Sequence, residues 1–171
     1  MKRIILAIIF STAVLYSGFS AASLRINYTA SAPVGVWKIN HYDRSVRVGE
    51  YVEVCPPNVK IVTDFVTAGI LARGQCPSGS IPLLKIVAAT KGDHVLITDN
   101  IIKINEQVVG PILPAMPHQK GQFTVADNEV WLINTDNRSF DSRYYGPVNT
   151  ANIIGIATPI FTREGISKWL F

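Results

Sequence analysis

Apolar and polar positions change their period several times along this chain. An apolar run from Ile4 to about Phe19 follows Lys2-Arg3 and closes in the small residues Ser20-Ala21-Ala22-Ser23. Beyond it, turn residues recur every eight to twelve positions with strand-like runs between them. Val34 to Ile39 is short and partly alternating, and it gives way to the polar stretch 40–44. The alternation in Tyr51-Val-Glu-Val-Cys55 predicts a half-buried strand halted by Pro56-Pro57. Positions Val59, Val62, Phe65, Val66, Gly69 and Ile70, counted together as one apolar face, predict a helix over 59–72, ended by Gly74. Pro82 to Thr90 is a continuous apolar run broken by Lys85 alone, which predicts a strand buried on both faces. His94 to Thr98 and Ile101 to Ile104 predict a hairpin over Asp99-Asn100, followed by a turn at 105–107 before Val108-Val109. Phe123-Thr-Val, then Glu129 to Ile133, and finally Ile153 to Phe161 complete the strands. The prediction is a mainly β fold: an antiparallel β domain with one short helical insertion and an N-terminal apolar helix.

The N-terminal pattern sets the compartment. A positive start, an apolar stretch and Ser20-x-Ala22 make an export signal, and Ser20-x-Ala22 would serve as its cleavage site. The stretch reaches the roughly 17–25 residues of a spanning helix only if its polar and small residues are counted, so cleaved signal and retained anchor both fit. We divide the chain into a signal or anchor segment, 1–23, and an exported domain, 24–171. Two cysteines are too few for a Cys-based structural zinc site and are not a C-x-x-C pair. In an oxidising compartment Cys55 and Cys76 are expected to form one disulfide, with two buried thiols as the alternative.

Composition narrows the function. Of 171 residues, 48% are apolar and 16% charged, which excludes disorder. The net charge of +4 is scattered, with no basic stripe interleaved with aromatics, which argues against nucleic-acid binding and suits a surface close to anionic lipid.

Three islands carry chemistry. Ser31 lies in Asn27-Tyr-Thr-Ala-Ser31-Ala-Pro33-Val-Gly35, where Pro33 and Gly35 fix a bend able to hold a serine exposed; an ordinary turn serine fits the same residues. Lys85 sits in the apolar run, where desolvation would depress its pKa and make it a base near neutral pH, unless it snorkels to a strand edge. The stretch 134–147 packs Asp136, Arg138, Ser139, Asp141, Ser142 and Arg143 directly after a strand, as a surface loop with its own ion pairs also would. The three histidines are isolated and in no metal spacing, and no G-x-S-x-G elbow, P-loop or dinucleotide fingerprint is present. No metal or cofactor is implied. A serine–lysine pair is the scheme best supported.

In order and spacing these islands resemble the signal peptidase I superfamily of serine–lysine endopeptidases, and more closely its TraF-type branch, the signal peptidases of conjugative DNA transfer. The resemblance runs through Thr29-x-Ser31-x-Pro33-x-Gly35, Cys55-Pro56-Pro57, Arg73-Gly74-x-Cys76-Pro77-x-Gly79, Pro82-Leu-Leu-Lys85, Gly92-Asp93 and Ser139-Phe-Asp141-Ser142-Arg143-Tyr-x-Gly146-Pro147. It implies a signal-peptidase-like fold with Ser31 as nucleophile and Lys85 as general base. The Thr29 hydroxyl and the Ser31 N–H would form the oxyanion hole, and Ser139 would orient the lysine. Asp141 and Arg143 would be a supporting ion pair, and Leu83 and Leu84 would flank a groove in which an extended substrate adds as a strand. Its implied partners are a prepilin or another signal-bearing exported protein and the inner membrane surface, with the enzyme on the periplasmic face. Some members of the branch also join the pilin ends into a ring.

General leader peptidases carry Ser-Met with proline three residues after the serine, whereas Pro33 follows Ser31 at two. This departure favours the conjugative branch over a general signal peptidase acting on many preproteins. A non-catalytic exported scaffold for pilus assembly is the rival from another class. Ser31 lies about nine residues beyond the leader, a tether of at most roughly 32 Å, which favours a retained anchor that keeps the serine at the membrane.

Overall fold

The computed structural model describes residues 23–41 and 45–163, together with Ile4, Ile5, Phe10 and Thr12. The rest of the expected leader lies outside the described residues, as do Tyr42 to Arg44 and the chain after Arg163. Among the described residues no helix is long and apolar enough to cross a membrane.

Among the described residues eleven strands are formed, all paired antiparallel: β1 (Leu24–Asn27), β2 (Gly35–Asn40), β3 (Tyr51–Val54), β4 (Leu83–Ala89), β5 (His94–Ile97), β6 (Ile101–Ile104), β7 (Gln107–Pro111), β8 (Gly121–Thr124), β9 (Glu129–Leu132), β10 (Val148–Asn149) and β11 (Ile153–Thr162). Two helices interrupt them, α1 (Lys60–Thr67) and α2 (Ser142–Tyr145). Seven strands form one sheet in the order β1-β2-β11-β3-β4-β9-β10, and four form another in the order β7-β6-β5-β8. The mainly β architecture and the hairpin over Asp99-Asn100 agree with the pattern in the sequence.

Each sheet buries its own apolar set. Val52, Val54, Val87, Leu132 and Val148 are fully covered in the core under the large sheet, and α1 adds Val62. Val95, Ile102 and Trp131 anchor the core under the small sheet. Strand β9 joins the two, because the side chains of Trp131 and Leu132 leave the strand on opposite faces and each enters a different core.

The helix is shorter than its apolar spacing predicts. It ends at Thr67, not at Gly74, because Gly69 takes a left-handed conformation (φ 74°). The N–H groups of Gly69 and Ile70 then turn back onto the carbonyls of Val66 and Phe65, a Schellman cap that satisfies the last turn. Glycine is needed again at Gly35, where β2 begins. A Cβ there would lie 2.1 Å from the Phe161 carbonyl of β11, so this close approach fixes the exit of the Ser31 loop.

The expected disulfide is present: Cys55 and Cys76 are bonded across 21 positions, closing the helical insertion onto the end of β3. Phe65 of α1 stacks on Phe140 at 4.4 Å, so the same insertion is docked against the loop that follows β9. Closing a loop of this length restricts the unfolded chain by about 3 kcal/mol. Chemical denaturation of the Cys55→Ser/Cys76→Ser double variant should show a stability loss of about that size. An unchanged midpoint and slope would mean that α1 and Phe140 hold the insertion without the bond.

Candidate active site

Strand β4 places Lys85. Its burial alternates, with Lys85, Val87 and Ala89 covered and Leu84, Ile86 and Ala88 half-buried, so Lys85 shares its face with core residues and does not snorkel. The strand is thus fully covered on one face only, where the unbroken apolar run predicted both. At 4% exposure the ammonium has lost its water. Among the described residues its hydrogen-bond partner is the buried Ser139 hydroxyl, which accepts from Nζ at 2.8 Å. Burial lowers the Lys85 pKa from 10.5 to about 8. The negative charge of Asp141 and the positive charge of Arg143 act on it in opposite directions.

Ser139 is held by the polar loop after β9. Arg143, 1% exposed, donates from Nε to Asp141 Oδ1 at 2.8 Å and from Nη2 to Oδ2 at 2.7 Å, and Asp141 is wholly buried. Asp141 also caps α2 by accepting from the Arg143 N–H. Arg143 donates further to the carbonyls of Asn134 and Asp136, at 3.2 and 2.9 Å. Asn134, Ser139 and residues 141–145 are therefore buried around a hydrogen-bonded ion pair, with 135–138 left toward solvent, whereas the sequence by itself equally allowed a wholly solvated loop. The exposed Arg138–Asp136 pair at 3.4 Å is the part that does sit at the surface.

Ser31 comes from the other side. The loop between β1 and β2 is knitted by Asn27, whose Nδ2 donates to the carbonyls of Thr29, Ala32 and Pro33 and whose Oδ1 accepts from the Thr29 hydroxyl at 2.8 Å. Thr29 Oγ1 in turn lies 3.3 Å from Ser31 Oγ. Trp37 Nε1 donates to the Pro33 carbonyl and pins the loop to the buried face of β2. Asn27 stood inside the quoted island without a role; an amide with three carbonyl partners can be found only once the loop is closed.

Sheet curvature brings the islands together. Two strands, β2 and β11, separate β1 from β3, yet Arg25 on β1 donates to Glu53 on β3 at 2.8 Å. That contact requires the sheet to curl over its own face. The resulting cleft, about 750 Å³, is lined by Asn27, Thr29, Ser31, Leu83, Leu84 and Lys85 among others, with Cys55 and Cys76 on its wall. Of the expected site residues, Ser31, Thr29, Lys85, Leu83 and Leu84 face this cleft, and Ser139 reaches it through Lys85. Asp141 and Arg143 lie behind Ser139. Among the described residues no three His, Cys, Asp or Glu side chains gather as a metal site.

A half-exposed serine beside a threonine hydroxyl and a dehydrated lysine held by a second serine thus line one open, largely apolar cleft. The sequence profile of the signal peptidase, peptidase S26 family matches residues 1–162, and the chain belongs to that family. It is 34% identical to the conjugal transfer protein TraF of Agrobacterium tumefaciens (strain 15955), over 91% of this chain and 96% of that protein. It is 36% identical to a plasmid transfer protein TraF of Escherichia coli, over 82% of this chain and 84% of that one. A solved signal peptidase I of Enterococcus faecalis V583 aligns at 16% identity with a TM-score of 0.41, covering 67% of this chain and 98% of that chain.

The buried lysine makes a thermodynamic prediction. With the folded pKa near 8 and the unfolded value at 10.5, the folded state disfavours the proton that the unfolded chain keeps. Below pH 8 both states are charged and the full penalty applies, on the order of 3 kcal/mol. It fades as pH rises from about 8 to 10.5. Lys85→Met should therefore be more stable than wild type at pH 7, with the gap closing by pH 10.5 in denaturant titrations. A gap that persists at the higher pH would assign it to packing instead of charge.

Proposed function

We propose that this protein is a membrane-associated serine endopeptidase that removes the leader from an exported prepilin of a conjugative transfer system. The observation that carries this is the meeting, in one cleft, of Ser31 with a lysine that burial has brought to a pKa of about 8. Family membership and the transfer proteins among its relatives supply the biological setting.

In this reading neutral Lys85 accepts the Ser31 proton as Oγ attacks the scissile carbonyl, and the lysine later returns it to the departing amine. Water, or an amine where pilin ends are joined, then attacks the acyl-enzyme at the same carbon, giving its proton to Lys85, which passes it to Ser31 Oγ as the ester bond breaks. Ser139 holds Nζ in place, so the lone pair of the neutral amine stays aimed into the cleft. The Ser31 N–H and the Thr29 hydroxyl receive the developing oxyanion. In the resting site the Thr29 proton is directed at Asn27, and rotation about a single bond redirects it. The substrate lies extended along Leu83 and Leu84, adding a strand to the cleft edge of β4. Residues 1–23 act as the anchor that keeps residues 24–171 on the periplasmic face of the inner membrane, where the substrate's own leader emerges.

Pilin processing in cells tests the assignment. Ser31→Ala and Lys85→Ala should abolish mature pilin at normal protein levels, while Lys91→Ala, whose side chain is 68% exposed and paired with Asp127, should process normally. Continued processing by Ser31→Ala would leave a non-catalytic scaffold as the better account. With purified protein, kcat/KM should rise with pH through about 8, since only the neutral amine is a base. Thr29→Val should lower kcat about 10²- to 10³-fold with KM little changed. A pure KM effect would remove Thr29 from the oxyanion hole.

A further inference from the structure

Asn134, the residue after β9, is 3% exposed and has all four of its polar groups engaged. Its backbone N–H donates to Asp141 Oδ2 and its carbonyl accepts from Arg143 Nη2, both at 3.2 Å. Its side chain reaches across to β4, where Oδ1 accepts from the Ile86 N–H and Nδ2 donates to the Leu84 carbonyl, both at 3.1 Å. These are the two bonds that a residue of a parallel strand lying opposite Lys85 would make.

The position of that plug matters. Backbone groups along a strand point alternately to its two edges. Lys85 pairs with Val52 of β3, so Leu84 and Ile86 present theirs to the other edge. There β9 begins its pairing only at Val87, and the Ile86 carbonyl is taken by the Ile133 N–H at 2.9 Å. The edge of β4 is thus closed from the Leu84 carbonyl onward, first by one side chain and then by a strand. Ahead of it, the Pro82 carbonyl and the Leu84 N–H lie along the cleft with no strand beside them on that edge among the described residues.

We propose that Asn134 is the stop that sets the substrate's register. Given the peptidase reading, an extended chain adding to β4 can pair only as far as Leu84. The bond held against Ser31 and Lys85 is then the one at which pairing ends. Asn134 hangs from the same Asp141–Arg143 pair as the loop carrying Ser139. The stop and the lysine's hydrogen-bond acceptor therefore share one rigid support. Removing the amide uncovers the Leu84 carbonyl and the Ile86 N–H. The substrate can then advance by two residues, the smallest slip that keeps its side chains on the same face.

The test is the position of the cut, read by mass spectrometry on the full chain acting on a peptide that spans the mapped cleavage site. Wild type should give a single product pair. Asn134→Leu, similar in volume but without the two bonds, should give in addition a cut two residues away. Asn134→Asp, which keeps the acceptor for Ile86, should slip less. A residue that merely stabilises the loop would lower the amount of active protein and leave the cut where it was, and that result overturns the proposal. A second measurement needs no variant. N-methylating the substrate's backbone amides one at a time should lower kcat/KM on wild type by about threefold to tenfold at alternate residues on one side of the cut only. Sensitivity on both sides would show that pairing runs past Lys85 and that Asn134 stops nothing. A Ser31→Ala control that still cleaves would sink the serine-peptidase reading separately, while leaving the register result of the backbone scan intact.

Discussion

A lysine buried at 4% exposure is the constraint around which the rest of this protein is arranged. A protonated amine in an apolar strand is costly to dehydrate, and three features reduce or exploit that cost. The Ser139 hydroxyl satisfies one bond of Nζ. The Asp141–Arg143 pair sits behind it as two opposite charges that act on the lysine in opposite directions, and desolvation is the largest influence. The pKa that follows, about 8, lets the amine spend part of its time neutral near physiological pH. Stability is traded for an amine that titrates near neutral pH, a pattern expected at functional sites.

That arrangement depends on the loop after β9, whose Ser139 and Asp141–Arg143 pair are buried and hydrogen-bonded. Arg143 alone donates to Asp141 and to the carbonyls of Asn134 and Asp136. Removing either member of the ion pair would strand the other in a dry interior, which is why such pairs are costly to break although weak as net stabilisers. Phe140 ties this loop to α1, and the Cys55–Cys76 bond ties the α1 insertion to β3. The insertion thus buttresses the site from outside the sheet without contributing a reacting group.

The Ser31 side of the cleft is built on different physics. The loop carrying Ser31 is held mainly by polar closure; one amide, Asn27, gathers three of its carbonyls, Trp37 pins it from below, and the absence of a Cβ at Gly35 lets the chain leave against β11. A small, locally closed loop can hold Ser31 half-exposed, as a group that must meet substrate requires. The curl of the large sheet, marked by the Arg25–Glu53 bridge, faces this loop toward Lys85.

The sequence by itself determined where most of the longer strands lie, which two cysteines could pair, and the residue types capable of the chemistry; it misread β4 as buried on both faces and did not mark the strands at Leu24–Asn27 and Val148–Asn149. Periodicity and redox compartment are local or compositional properties, and a lone lysine in an apolar run is visible without coordinates. It misplaced the end of α1, since Gly69 and Gly74 are both possible stops and only the observed backbone shows which one turns left-handed. It could not assign Asn27 or Asn134, because an asparagine's role lies in which distant carbonyls it meets. Nor could it distinguish a solvated 134–147 loop from a buried one. Burial, sheet curl and hydrogen-bond saturation are properties of long-range packing, and the tertiary structure alone decided that Ser31 and Lys85, fifty-four positions apart, share one cleft.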